Sequence, residues 1–179
     1  MKQLLYIILL SFVIAACKSP EARRPISAKS GSFIDKSVER NIQLKEREEK
    51  MFKDLIAKDS TQSFTASENG FWYSFKNRVS DSLIIPKFGD TVIFDYNVKR
   101  TNGEIIYSKK DLKTQQYVMD KQELFSGLRE GLKLMRAGET ATFLFPSQKA
   151  FGYYGDENKI GTNVPIICNV TVHTINPNK

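Results

Sequence analysis

The sequence predicts an α+β fold in which a small antiparallel sheet wraps round one short helix, with a further polar helix before it. Apolar and polar residues alternate in the stretches TVIFDYNVKR, ETATFLFP and VPIICNVTVHTI, which is typical of strands with one buried face. Between them, LFSGLREGLKLMRAG places Leu124, Leu128, Leu132 and Met135 on one side of a helix that Gly138 closes. Strands on both sides of a single helix favour the α+β class.

The chain begins with a stretch that is typical of export. MKQLLYIILLSFVIAAC has a lysine, an apolar run and small residues before a cysteine. The run holds about 14 apolar-biased residues, too few to cross a hydrocarbon core of about 30 Å. Its end, from Ile14 to Cys17, resembles the bacterial lipobox, so we expect residues 1–16 to be a lipoprotein signal peptide and Cys17 to carry lipid. An ordinary signal peptide with an incidental cysteine is the alternative.

Two segments separate this stretch from the predicted sheet. Residues 17–34 are rich in Pro, Ser, Gly and basic residues, which indicates a flexible tether. Residues 35–59 are mostly charged and predict a polar helix that Asp35 can cap. Its apolar residues form a narrow stripe of Val38, Ile42, Phe52, Leu55 and Ile56. Such a helix could dock on the domain, pair with a second copy as a homodimer, or act as a spacer.

Residues 69–179 carry the strand signals. An aromatic, β-prone run over residues 71–75 precedes the strand at 91–100. Asn102-Gly103 is a strong hairpin signal, and short strand pieces follow at 104–108 and 115–119. In all, the pattern predicts five to six strands.

Charge and cysteine usage exclude several functions. The formal net charge of +7 favours binding to an anionic membrane surface. No run of basic residues is interleaved with aromatics, so nucleic-acid binding is not expected. With Cys17 acylated, Cys168 has no disulfide partner. The single histidine, His173, lies five residues from Cys168 on one predicted strand, so the two side chains face opposite ways. We therefore expect no Cys–His dyad, no metal site and no cofactor, with Cys168 buried and His173 exposed.

Four ordered segments resemble one family. GDTVIFDYNV, NGEIIYS, DKQELFSGLREGLKLMRAGE and FPSQKAFGYYGDE are similar to successive motifs of the FKBP-type peptidyl-prolyl cis-trans isomerases. The resemblance covers about residues 69–175 and implies an FKBP-like half-barrel over 69–179. With the lipobox and the polar helix, the whole chain is most similar to the gliding-motility-associated lipoproteins of the GldI type from Bacteroidetes.

The resemblance implies an enzyme that acts on X–Pro bonds of protein substrates, without metal or cofactor. It assigns catalytic positions to Tyr96, Phe125 and Phe151, with the N–H of Phe125 as donor to the substrate carbonyl. The implied substrate-binding residues are Ile106, Tyr107, Leu124, Leu128, Ile160 and Cys168. Such a protein would assist the folding of exported or envelope proteins, among them gliding machinery, from an outer membrane and facing the periplasm.

Four positions depart from the family pattern. Tyr107 replaces an aspartate, Phe151 a tyrosine, Leu128 a tryptophan and Cys168 a phenylalanine. A lost hydrogen bond to the transition state costs about 1 kcal/mol or more, so we expect weakened turnover. The alternative is a non-catalytic FKBP-like chaperone or assembly module that binds Pro-containing partners.

Overall fold

The structure is a computed structural model that describes residues 30–59, 61–79 and 84–178. The predicted signal peptide and the predicted tether up to residue 29 lie outside the described residues. The chain divides into two compact units, residues 1–38 and 39–179. No helix within the described residues is long and apolar enough to cross a membrane.

The polar helix is longer than the sequence predicted. Helix α1 spans Ser30–Lys58. Asp35 therefore lies inside the helix and does not cap its start, because residues 30–34 also adopt helical geometry. Within the predicted apolar stripe, Val38 and Ile42 are each 51% exposed, whereas Phe52 is fully buried.

The buried side of α1 follows a different row of residues. Leu44, Glu48 and Phe52 are buried and lie four residues apart, which places them on adjacent turns of one helix face. Phe52 packs its ring 5.4 Å from that of Trp72. This row joins the C-terminal half of α1 to the domain.

The domain is built on one antiparallel sheet of seven strands. The strands are β1 Thr65–Ala66, β2 Trp72–Asn77, β3 Thr91–Arg100, β4 Ile105–Tyr107, β5 Gln115–Val118, β6 Thr140–Phe145 and β7 Ile166–Asn176. Their order is β1-β2-β6-β7-β3-β4, and β5 pairs with residues 91–94 of β3. The register of the β3–β7 ladder shifts between Ile93 and Phe94. The sheet has one strand more than the upper limit of the five to six predicted, because the two-residue β1 pairs with β2.

The predicted alternation determines which face of the sheet is buried. Along β3, Val92, Phe94, Tyr96 and Val98 are buried while their neighbours are half-buried. The turn between β3 and β4 is closed by the N–H of Arg100, which donates to the carbonyl of Glu104 at 2.8 Å. Gly103 adopts a φ of 90°, which a glycine tolerates without a steric penalty.

Short helical elements lie between the strands. One-turn helix α2, Lys109–Leu112, begins with a capping box formed by Ser108 and Asp111. Helix α3, Ser126–Leu132, lies on the buried face of the sheet, and the segment after β6 forms a 3-10 turn at Ser147–Lys149. Helix α3 is shorter than predicted, since the chain leaves it after Leu132 in successive turns.

Glycines allow α3 to approach the sheet closely. A Cβ built at Gly131 would lie 2.9 Å from Cε1 of Phe143, and one at Gly127 would lie 2.5 Å from Cδ1 of Phe145. Such distances leave no room for a side chain. The helix is therefore held directly against the aromatic residues of β6.

Candidate functional site

An aromatic cluster forms where α3 begins. Phe125 directly precedes the helix, and its ring lies 5.0 Å from that of Phe151 and 5.5 Å, edge-on, from that of Phe145. Phe145 is fully buried, whereas Phe125 and Phe151 are half-buried. The rings of Phe125 and Phe151 thus form an apolar surface that a ligand can reach, and both pack against the core.

Tyr96 lies deeper, in the centre of β3. Its side chain is 9% exposed, and burial, with Cys168 and Tyr107 nearby, raises the pKa of its phenol to about 12. The Cys168 thiol is fully buried, and this burial raises its pKa well above the usual range. Both groups are therefore neutral at physiological pH, so the hydroxyl of Tyr96 can act as a hydrogen-bond donor.

The other residues assigned by resemblance fall into two groups. Tyr107 and Leu124 are half-buried and pack against the core. The second group is buried in the core: Ile106, Leu128, Ile160 and Cys168 are 8%, 0%, 2% and 0% exposed. Their positions indicate that they shape the site from behind, and their roles in binding stay predictions.

Tyr107 makes a contact that the sequence did not reveal. Its hydroxyl donates to Oδ2 of Asp156 in a short hydrogen bond. The other carboxylate oxygen of Asp156 accepts the N–H of Ile160 at 2.7 Å and that of Asn158 at 3.0 Å. The ammonium group of Lys159 lies 5.0 Å from the centre of the Tyr107 ring. This cluster joins β4 to the segment between β6 and β7.

These contacts determine the charge of the Asp156 carboxyl. Burial alone would raise its pKa, but the Tyr107 hydroxyl and the N–H groups of Ile160 and Asn158 lower it below the usual value of 3.8. Asp156 is consequently ionised at neutral pH. A carboxylate therefore lies at the edge of the site even though the family's aspartate position holds Tyr107.

The two tyrosines that follow Phe151 do not restore its missing hydroxyl. Tyr153 and Tyr154 are 69% and 84% exposed, and their rings contact each other at 5.5 Å. Neither side chain enters the buried part of the site. The accessible surface at Phe125 and Phe151 is therefore purely aromatic.

The Cys168 and His173 side chains are separated as predicted. Cys168 points into the core, whereas His173 is 43% exposed and its Nε2 lies 2.9 Å from Oδ2 of Asp95. No group of three His, Cys, Asp or Glu side chains is arranged to hold a metal ion in the described part of the chain.

The comparison with known proteins agrees with this geometry. The sequence profile described as FKBP-type peptidyl-prolyl cis-trans isomerase matches residues 84–173, which is half of the chain. The chain belongs to this family. The predicted enzyme class, a peptidyl-prolyl cis-trans isomerase of the FKBP type, is thereby confirmed.

Solved structures support the fold. A peptidyl-prolyl cis-trans isomerase from Pseudomonas syringae pv. tomato aligns with a TM-score of 0.61 at 18% identity, covering 75% of this chain and 95% of that one. FkpA from Escherichia coli aligns with a TM-score of 0.61 at 19% identity, covering 98% of this chain and 82% of that one. The predicted α+β, FKBP-like fold with an N-terminal helix is therefore confirmed.

Proposed function

We propose that this FKBP-type protein is a membrane-anchored prolyl isomerase that assists the folding of exported or envelope proteins. The observation that carries the proposal is the accessible aromatic surface of Phe125 and Phe151, whose rings lie 5.0 Å apart and pack against a core that includes Tyr96. The substrates are proteins whose folding is limited by the cis–trans isomerisation of an X–Pro bond.

The chemistry of the reaction suits such a surface. Resonance in an X–Pro amide opposes rotation with a barrier of about 18–20 kcal/mol in simple peptides. In the twisted transition state this resonance is lost, so the amide is less polar than in the planar substrate. An apolar site with one or two well-placed donors therefore binds the twisted form better, which accelerates rotation without an acid, base or nucleophile.

The substitutions within the site favour weak catalysis. Phe151 cannot donate a hydrogen bond, and Tyr107 uses its hydroxyl to hold Asp156. A site that keeps its apolar surface but has fewer donors also suits a second function, binding of Pro-containing partners without turnover. That second candidate is an FKBP-like chaperone or assembly module.

The experiment compares the cis–trans exchange rate of short X–Pro peptides, with Leu or Phe before the proline, by two-dimensional exchange NMR with the full chain in detergent micelles. We expect acceleration that Phe125→Asp abolishes. Phe88→Asp is the matched control, because Phe88 is 67% exposed. Peptide binding without acceleration would support the binding module. The absence of both binding and acceleration would overturn both functions.

The location is proposed from the sequence alone. Cys17 would carry the lipid, and the protein would lie on the outer membrane facing the periplasm, as in gliding-motility-associated lipoproteins of the GldI type. In cells, we expect Cys17→Ser to move the protein from the membrane to the soluble fraction. An unchanged membrane fraction would contradict the lipid anchor.

A homodimer through residues 35–59 is a further part of the proposal. It is supported by Ile42, which is 51% exposed on α1 although it is apolar. Analytical ultracentrifugation of the full chain in detergent would test it. We expect Ile42→Glu to convert dimers to monomers, and a wild-type protein that sediments as a monomer would contradict this part alone.

A further inference from the structure

Ser147 makes two of the backbone hydrogen bonds that hold the segment carrying Phe151. The carbonyl oxygen of Ser147 accepts the N–H of Ala150 at 3.0 Å and that of Gly152 at 2.8 Å. Phe151 lies between these two donors. Any displacement of Ser147 is therefore passed directly to the backbone on both sides of Phe151.

Ser147 is in turn bound by a side chain from α1. Its N–H donates to Oε2 of Glu48 at 2.8 Å, a hydrogen bond between residues 99 positions apart in the chain. Glu48 is 2% exposed and Ser147 is fully buried. Because both groups are buried, water cannot replace this contact if it is lost.

The other side of the segment is fixed by α3. The hydroxyl of Ser126 donates to the carbonyl oxygen of Lys149 at 3.4 Å, and a Cβ built at Gly127 would lie 2.7 Å from the same oxygen. The segment is thus enclosed between α3, which bears Phe125 at its start, and Glu48 of α1. Both rings of the accessible aromatic surface depend on this arrangement.

Packing alone does not explain a glutamate at this position. Burial of a carboxylate opposes folding unless hydrogen bonds compensate for the lost water. Oε1 of Glu48 has no hydrogen-bond partner in the described part of the chain, and neither does the hydroxyl of Ser147. An apolar side chain would fill the same space next to Leu44 and Phe52 at lower cost.

We infer that Glu48 is a positioning residue for the isomerase site: its carboxylate fixes Ser147 and thereby the orientation of Phe151. The inference rests on the proposed isomerase function. It assigns α1 a direct part in the geometry of the site, in addition to any role as a spacer.

The test compares three variants of the full chain in detergent micelles. Glu48→Met keeps the volume and removes the acceptor, Glu48→Gln keeps an acceptor oxygen, and Glu49→Gln is a matched control on the neighbouring, half-buried residue. Glu49 makes only a 3.8 Å ion pair with Lys45 among its described contacts. Each variant is examined by amide hydrogen exchange and by the kcat/KM for an X–Pro peptide.

We expect Glu48→Met to speed amide exchange in residues 147–152, to leave exchange in β7 unchanged, and to lower kcat/KM about tenfold. Glu48→Gln should retain kcat/KM within about twofold of the wild type, because its amide oxygen still accepts the N–H of Ser147. Glu49→Gln should match the wild type in both measurements.

Two results would overturn the inference. One is unchanged exchange in residues 147–152 of Glu48→Met, and the other is an unchanged kcat/KM despite faster exchange. If the wild type has no isomerase activity, the proposed function fails separately, and exchange together with the Kd for an X–Pro peptide still decides whether Glu48 positions this segment. If Glu48→Met does not fold, the role is judged on Glu48→Asp, whose shorter side chain should give the same two effects.

Discussion

Two carboxylates hold the segment between β6 and β7, one near its start and one near its middle, and they lie in opposite surroundings. At the edge of the site, Asp156 is half-buried, and both of its oxygens accept hydrogen bonds, including one from Tyr107. At the helix end, Glu48 is buried and uses one oxygen, for the N–H of Ser147. The first contact belongs to the edge of the domain, whereas the second joins the domain to α1.

This difference indicates where substitutions should have the largest effect. A half-buried group can exchange a lost partner for water, so its removal costs little. A fully buried contact has no such replacement, and its loss affects everything packed around it. We therefore expect substitutions at the helix end to lower stability most, and substitutions at the site edge to have smaller effects that depend on pH.

The largest effect is expected at the contact between α1 and the sheet. Phe52→Ala removes a fully buried ring that lies 5.4 Å from Trp72, and it should lower the free energy of unfolding by about 3–5 kcal/mol. Urea denaturation at pH 7 measures this change. Glu46→Ala, at an exposed position on the same helix, should cost less than about 0.5 kcal/mol. A loss below about 1 kcal/mol for Phe52→Ala would show that α1 contributes little to the domain.

A smaller effect is expected at Gly155, within the segment itself. Its φ is 72°, and an added Cβ would lie 2.1 Å from the carbonyl oxygen of Ile160, so Gly155→Ala must displace the backbone near Asp156. We expect it to destabilise the protein by about 2–3 kcal/mol, at the upper end of the usual cost of backbone strain. Gly103→Ala is the control, since its φ of 90° imposes strain but nothing lies within 4 Å of the added atom.

Thermal unfolding of the two glycine variants separates steric contact from strain. Gly103→Ala should cost about 1 kcal/mol and leave isomerase activity intact. Gly155→Ala should also lower kcat/KM about tenfold, because Phe151 and Ile160 lie on either side of it. Equal effects of the two substitutions would contradict the close packing of this segment.

The smallest effect concerns the hydrogen bond between Tyr107 and Asp156. Tyr107→Phe should lower the free energy of unfolding by about 1 kcal/mol at pH 7. Because the folded-state pKa of Asp156 is below its usual 3.8, the contribution of its ionised form is present above that value and is lost as the pH falls through the lowered pKa. The difference between the wild type and Tyr107→Phe should therefore shrink towards zero in strong acid.

Urea denaturation at pH 7 and at about pH 2 tests this dependence. Tyr153→Phe serves as the control, since Tyr153 is 69% exposed. Loss of its hydroxyl should leave the free energy of unfolding unchanged at both pH values. A difference for Tyr107→Phe that is the same at both pH values would show that the charge of Asp156 does not contribute to the contact.

The sequence predicted the parts of the fold that depend on local patterns. Alternation along residues 91–100 correctly assigned the buried face of β3, because strand geometry fixes the direction of each side chain from its neighbours. Asn102-Gly103 likewise identified the hairpin, since the turn requires a residue that tolerates a positive φ.

The contacts made by the segment between β6 and β7 could not be predicted from local sequence patterns. Tyr107 and Asp156 are 49 residues apart, and nothing in either neighbourhood indicates the other. Glu48 lies in a charged run and was not among the predicted site residues. A usable signal was nevertheless present: Glu48 lies four residues from both Leu44 and Phe52, so it occupies the middle of an apolar helix row.

The strand order has a consequence for when the domain can fold. β7 lies between β6 and β3, and it joins β1, β2 and β6 to β3, β4 and β5. Since it also buries Ile166, Cys168, Val170 and Val172, the two halves of the sheet share no central ladder until residues 166–176 have been made. During synthesis the sheet therefore cannot close until late, and the pairing of β7 then joins both halves in a single late step.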